Sequence, residues 1–211
     1  MWPFSPKTID SELRRRGITL LLHSTHLYKN LPHILETHSL LPARSLDKRF
    51  LHDPRRYEQF AVGLDYLNCS LTVPNYELLY KRSKSEWQAE WVHLTLDPSL
   101  LSNEDTLFSP VSAAKEKGKY VLKGLTGFAA MFKDYVDYEN REGLERAMPT
   151  HPQAEALIKA PLTLDRVTGI LVANEAIAVE ITRLCEQNSA LIPVLPAPHL
   201  FVWPERLSKK T

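Results

Sequence analysis

The sequence predicts a single α+β domain spanning residues 1–211, with a mixed sheet core and surrounding helices. The length is sufficient for a sizeable core and lies near the upper limit for one domain. Hydrophobic residues make up 44% and charged residues 24%, the composition of a globular protein rather than of a disordered chain. Strand and helix patterns are mixed without a regular βαβ order or an internal repeat, which disfavours a doubly wound parallel sheet.

The first helix and the first strand have clear boundaries in the sequence. Residues 10–16 predict a helix that stops at Gly17. The apolar run 18–22 predicts a strand, and the polar cluster HSTH at residues 23–26 follows it. We therefore expect these polar side chains at a strand terminus, a position that active sites favour.

Asn30 begins the next element, because it can cap a helix over residues 31–37 with a proline in the first turn. Residues 41–60 show little periodicity and predict a loop with a helical turn. This loop is the most basic part of the chain and carries Arg44, Lys48, Arg49, Arg55 and Arg56.

The later elements follow from the same periodicity rules. Asn174 caps an amphipathic helix that begins after it. Three prolines interrupt the last apolar run, so it is an edge strand or an extended segment. The remaining predictions are strands at 66–73, 90–96, 153–158 and 166–173, a helix at 126–136 and the edge segment at 191–203.

Composition excludes several broad classes of function. A net charge of +1 gives no overall field toward DNA or membranes, so any nucleic-acid site must be a local patch. Cys69 and Cys185 are too few for a disulfide framework or a zinc site and are expected to be reduced, buried thiols. No apolar run of membrane-spanning length and no leader pattern are present, so we expect a cytoplasmic protein with no membrane association.

The common catalytic motifs are missing from the sequence. Its seven glycines form neither GxGxxG nor GxxxxGK, which removes the common nucleotide-binding folds. GxSxG, HExxH and CxxC are also missing, so no metal is expected.

Three less familiar patterns carry the chemistry. Glu155 lies in a strand-like stretch between two alanines, which leave room beside a carboxylate, and strand alternation places Gln153 on the same face. The competing interpretation is a solvated glutamate on the outer face of the strand. The second pattern is HSTH with NLPHIL at residues 23–35, and its alternative interpretation is an ordinary strand end and helix cap. The third pattern is the arginine cluster of residues 41–60, and its alternative interpretation is a solvated basic loop.

These patterns, in this order, resemble the opening and the catalytic strand of the DarT family, toxins that ADP-ribosylate nucleic acid. DarT proteins read approximately HxTHxxNLPxILxxGLL at this point. The resemblance is strongest over residues 20–173, and no single motif carries it. Its further matches are a leucine pair at 40–41, GLDY at 63–66, LLY at 78–80, EWVHL at 90–94, LFS at 107–109, AA at 113–114, AEALI at 154–158 and GILV at 169–172.

The resemblance implies an ADP-ribosyltransferase-like mixed sheet and transfer of ADP-ribose from NAD to a nucleobase, most naturally in single-stranded DNA. It also implies a toxin of a toxin–antitoxin system with a macrodomain-type antitoxin. Glu155 would stabilise the oxocarbenium-like transition state of glycosyl cleavage. Arg56 or its neighbour Arg55 would clamp phosphate or the reacting centre. NAD would be held by His23 and Thr25, with Asn30 and Leu31 in the nearby helix turn, and Tyr76 or Tyr80 would stack on the target base.

The departures from the family pattern lie largely where the acceptor could bind. They are Ser39 in place of a glycine, the stretch 108–114 in place of a longer FTDGNAA-like turn, and 67–69 in place of phenylalanine and proline residues. NAD use is therefore better supported than the acceptor. Two alternatives stay open, namely an ADP-ribosyltransferase acting on protein or RNA, and an inactive NAD or nucleic-acid binding module.

Overall fold

The computed structural model describes residues 7–47, 61–83 and 90–204. The helices are α1 (Ile9–Arg16), α2 (Leu31–Thr37), α3 (Tyr76–Arg82), α4 (Gly124–Ala130) and α5 (Glu175–Gln187). The strands are β1 (Leu21–His26), β2 (Ser39–Leu40), β3 (Tyr66–Leu71), β4 (Trp91–Leu96), β5 (Leu107–Ser109), β6 (Leu122–Lys123), β7 (Tyr135–Val136), β8 (Glu139–Asn140), β9 (Glu155–Lys159), β10 (Leu162–Thr163), β11 (Val167–Val172) and β12 (Val194–Pro196).

A mixed sheet forms the centre of the molecule, in the strand order β12-β11-β4-β1-β3-β9-β5-β6. The edge strand β12 runs parallel to β11, and the other neighbouring strands are antiparallel. The predicted α+β class is confirmed, and the proline-rich segment near the C-terminus forms the edge strand β12, where a missing N–H is tolerated.

Helix boundaries follow the local capping chemistry. Thr8 and Ser11 form a reciprocal capping box at the start of α1, and Gly17 ends this helix in the left-handed conformation at φ 69°. The Asn174 side chain accepts the N–H of Ile177 at 3.0 Å and so caps α5. These predicted boundaries are confirmed.

Both faces of the sheet are covered by apolar side chains. The larger cluster joins the sheet to α2, α4 and α5 through residues such as Leu31, Phe128 and Ile181. A second cluster, on the face covered by α3 and the C-terminal segment, contains Trp91 and Phe201. All of β4 is buried because it lies in the sheet interior between β1 and β11.

Two predicted boundaries were wrong because tertiary bonds override local pattern. The helix expected to reach residue 136 ends at Ala130, since the Thr150 N–H donates to the Met131 carbonyl at 2.9 Å. The Thr150 hydroxyl donates to the Lys133 carbonyl at 2.6 Å. The first strand also lies later in the chain than predicted. The HSTH cluster was expected to follow this strand, but it pairs with β4 along its whole length and is therefore part of β1.

Within the described ranges, no helix combines the length and the apolar character that crossing a bilayer requires.

Candidate active site

A cleft opens in the middle of the sheet where β1 and β3 separate. β1 pairs with β4 along its whole length, whereas its described ladder with β3 consists of Leu21 with Leu71 and Leu22 with Ser70. β3 stays paired with β9 beyond this point. The polar cluster of β1 therefore faces a gap, and the sheet residues that line it include His23, Ser24, Thr25, Asn68, Ser70 and Glu155.

His23 bridges the gap between the separated strands. Its Nδ1 lies 3.0 Å from the backbone oxygen of Asn68, and because a carbonyl can only accept, Nδ1 must carry the proton. Burial lowers the pKa of His23, against an opposing effect of the Asn68 carbonyl. A neutral ring protonated on Nδ1 has Nε2 as a hydrogen-bond acceptor, so His23 can receive a donor from a ligand.

Glu155 begins β9 and lies in the same cleft. Its side chain is buried, with 3% exposure, and Oε2 accepts the backbone N–H of Ala113 at 2.7 Å. Ser109 of β5 lies directly opposite Glu155 in the ladder. The alternative of a solvated glutamate is therefore wrong. A buried carboxylate oriented by a backbone N–H is suited to stabilising a developing positive charge.

Cys69 lies on β3 beside the start of β9, where it pairs with Ala156. Burial raises the pKa of the Cys69 thiol, and the nearby charge of Glu155 raises it further. Burial likewise raises the pKa of Cys185. Both cysteines are free and buried, as predicted.

A tight turn before β9 fixes the start of that strand. His151 Nδ1 accepts the N–H of Gln153 at 3.0 Å, and the His151 carbonyl accepts the N–H of Ala154. The Gln153 amide donates to Glu77 of α3 at 2.7 Å. The turn therefore ties Glu155 to α3 on the other side of the cleft.

The structure brings several predicted site residues together and separates others. The cleft is lined by His23, Thr25, Asn30 and Glu155, which were predicted. Leu31 is instead fully buried in the core, and Tyr76 is also buried, at 5% exposure. Tyr80 is 62% exposed and lies outside the cleft lining. Arg55 and Arg56 lie outside the described residues.

The sequence interpretation missed one wall of the cleft. Asn75, Leu78, Leu79 and Arg82 line it from α3 and its N-cap. Their spacing of three, four and seven residues marks one face of a helix, so this stripe was a detectable pattern. Among the described lining residues with a permanent charge, Arg82 is the cation and Glu155 the anion.

The described residues contain no group of three or more His, Cys, Asp or Glu side chains that could hold a metal ion. The polar side chains that line the cleft include His23, hydroxyl groups of β1 and the buried Glu155.

The fold is shared with solved ADP-ribosyltransferases. Thermus sp. 2.9 DarT in complex with NAD+ superposes with a TM-score of 0.63 at 15% identity, covering 87% of this chain and 98% of that one. The same protein in complex with ADP-ribosylated ssDNA superposes with a TM-score of 0.64 at 16% identity, covering 88% of this chain and 97% of that one. Thermosipho africanus DarTG in complex with ADP-ribose superposes with a TM-score of 0.61 at 18% identity, covering 89% of this chain and 52% of that one.

The family model of DarT, described as ssDNA thymidine ADP-ribosyltransferase, matches residues 22–202. The chain belongs to the DarT family. It is an NAD-dependent ADP-ribosyltransferase with NAD as its substrate, and single-stranded DNA is the acceptor of its family, as the sequence predicted. No curated protein sequence matches the chain.

Proposed function

We propose that this chain transfers ADP-ribose from NAD to a thymidine base in single-stranded DNA, with Glu155 as the central catalytic residue. One observation carries the proposal. The Glu155 carboxylate is buried at the gap between β1 and β3, oriented by the Ala113 N–H and facing the polar residues of β1.

Glu155 acts on the bond between nicotinamide and ribose. As this bond breaks, nicotinamide leaves with the bonding electrons and positive charge develops on the ribose, as in other glycosyl cleavages. The carboxylate binds a ribose hydroxyl and stabilises that charge. The base then forms the new bond to the ribose and loses a proton, and Glu155 orients the base or accepts that proton.

His23 and Thr25 hold NAD beside the carboxylate. The acceptor Nε2 of the neutral His23 ring suits a ribose hydroxyl or an amide N–H, because both are donors. The buried hydroxyl of Thr25 lies on the same strand, and Asn30 lines the cleft just beyond it.

Arginine and tyrosine complete the proposed site. Arg56 or Arg55 binds phosphate oxygens of NAD or the reacting centre, because a guanidinium contacts phosphate at two points. Tyr80 is the better candidate for stacking on a base, since Tyr76 is buried. The ring of Tyr80 lies 5.4 Å from that of Trp203 in an edge-on arrangement, which gives a small aromatic surface.

The biological role follows from the chemistry. Modification of DNA bases by a constitutive enzyme would block replication, so we propose that the protein is a toxin controlled by an antitoxin of the macrodomain type. It would act in the cytoplasm, where both NAD and DNA are present.

Mass spectrometry of oligonucleotides tests the proposal directly. Unstructured oligonucleotides, each lacking one base type, are incubated with enzyme and NAD, and the added mass of ADP-ribose is sought. We expect modification of every oligonucleotide except the one without thymidine. Modification of RNA or protein alone would give the function to another acceptor, and failure to bind millimolar NAD would indicate an inactive binding module.

A further inference from the structure

Ser24 is a cleft residue that lies between the two proposed NAD-binding residues of β1. In a strand, successive side chains point to opposite faces, so Ser24 faces away from His23 and Thr25. This face is the one covered by α3. Ser24 nevertheless lines the same cleft as Glu155, and it lies opposite His93 of β4 in the ladder.

His93 contacts the Ser24 hydroxyl from the neighbouring strand β4. Its Nδ1 lies 3.0 Å from Ser24 Oγ, and its ring is completely buried. The ring stacks on Phe201, with centroids 4.5 Å apart and an interplanar angle of 23°. The position of the imidazole is therefore set by the core and by the sheet ladder, independently of any ligand.

Burial keeps the His93 ring in its neutral form. Burial lowers the pKa of His93 to about 3, and the backbone of Leu200 opposes this fall. Nε2 makes no hydrogen bond with a described residue, so the hydrogen bond of the ring to a described side chain is the one to the Ser24 hydroxyl. In either tautomer of the ring, Nδ1 uses one hydrogen-bonding position of the Ser24 hydroxyl and leaves the others for the cleft.

A serine hydroxyl held in this way still has a hydrogen-bonding position to offer a ligand in the cleft. We propose that Ser24 is a binding residue for NAD that hydrogen-bonds a ribose hydroxyl or the carboxamide, and that His93 is the positioning residue that fixes its orientation. The inference rests on the proposed function, because it takes NAD as the occupant of this cleft.

Steady-state kinetics of Ser24→Ala test the binding half of the proposal. Loss of one hydrogen bond should raise the KM for NAD about five- to tenfold. The KM for the oligonucleotide and kcat should change less than about twofold, because uniform binding of NAD is lost. Ser24→Thr keeps the hydroxyl and should recover most of the affinity for NAD.

Two variants of His93 test the positioning half. His93→Phe keeps a ring against Phe201 but removes Nδ1, and it should raise the KM for NAD. His93→Asn places a polar atom near the position of Nδ1 and should recover part of the loss. Thr168→Val is the matched control. It removes the hydrogen bond between the Thr95 and Thr168 hydroxyls of β4 and β11, whose oxygens lie 2.8 Å apart and outside the cleft lining.

Calorimetric binding of NAD separates this inference from the proposed function. Glu155→Gln is compared with Glu155→Gln combined with Ser24→Ala, so that no turnover occurs. Weaker NAD binding in the double variant supports the role of Ser24 even if no transfer to DNA is found. A lower melting temperature with unchanged NAD affinity, or a higher KM for the oligonucleotide alone, would overturn it.

Discussion

The two sides of β1 differ in how their backbone and side chains are used. On the β4 side, β1 is paired from Leu21 to His26, and the cross-strand pair of Ser24 and His93 is bonded. On the β3 side the described ladder ends after Leu22, and the His23 ring donates to the Asn68 carbonyl that lies across the gap. One strand thus belongs to the rigid sheet on one side and to the cleft on the other.

The difference shows how a sheet can open a cleft beside a strand that stays in place. Side chains on the open side are positioned by a strand that its other neighbour keeps in place. Substitutions on the open side should therefore change activity more than stability, and substitutions on the paired side that do not reach the cleft should do the reverse.

The largest effect is expected at the carboxylate of the open side. Glu155→Gln should lower transfer about a thousandfold, because preorganised charge at the transition state is lost. Stability and NAD binding should stay near wild type, since the amide oxygen can still accept the Ala113 N–H. Oligonucleotide mass spectrometry and thermal melting measure the two quantities. Glu180→Gln, an exposed change on α5, is the matched control, and substantial activity in Glu155→Gln would remove the assignment.

We expect the acceptor to enter the open side as an unpaired base. Annealing the oligonucleotide to its complement should slow modification about ten- to a thousandfold, because extracting a paired base costs a few kcal/mol. Initial rates on matched single-stranded and duplex substrates measure this effect. Equal rates on both would contradict single-stranded DNA as the acceptor.

We expect the arginine pair at residues 55 and 56 to contribute a phosphate clamp to the reaction. Arg56→Lys keeps the charge but loses two-point binding and should lower activity about ten- to a hundredfold. Arg55→Lys should be milder. The reverse order in a kinetic comparison would give the role to Arg55, and two harmless substitutions would make the cluster a solvated loop.

The buried histidine on the paired side should make stability depend on pH. Burial lowers the pKa of His93 to about 3, whereas the unfolded side chain titrates near 6.5. The unfolded chain therefore binds the additional proton in this window, and the free energy of unfolding should fall as pH falls from about 6.5 toward 3. Urea unfolding across this range should give a shallower slope for His93→Phe than for wild type, and parallel slopes would refute the assignment.

The smallest effect is expected at the hydrogen-bonded hydroxyls of Thr95 and Thr168, which join β4 to β11. Thr168→Val should cost about 1 kcal/mol of unfolding free energy, the net worth of one hydrogen bond. Thr95 keeps its bond to the Gly169 carbonyl at 3.2 Å, so no buried hydroxyl is orphaned. Activity should stay within about twofold of wild type, and a loss of activity without loss of stability would break the contrast between the two sides.

Local chemistry in the sequence was sufficient to predict several elements and several site residues. Gly17 and Asn174 set helix boundaries because capping depends on adjacent residues alone. The ordered DarT-like motifs pointed to Glu155, His23 and Thr25, which the fold places in one cleft. Side-chain direction repeats every two residues in a strand and about every 3.6 in a helix, so such features can be recognised within a few residues of sequence.

The sequence was sufficient for the class of fold and for the family, and it predicted a catalytic role for Glu155. The tertiary structure was needed to show that β1 includes residues 23–26, that Leu31 and Tyr76 are buried, and that α3 forms a wall of the cleft. Each of these depends on a partner distant along the chain, such as β4 for β1. Pairing and burial are set by which strands and helices meet, and this is information that no local window of sequence contains.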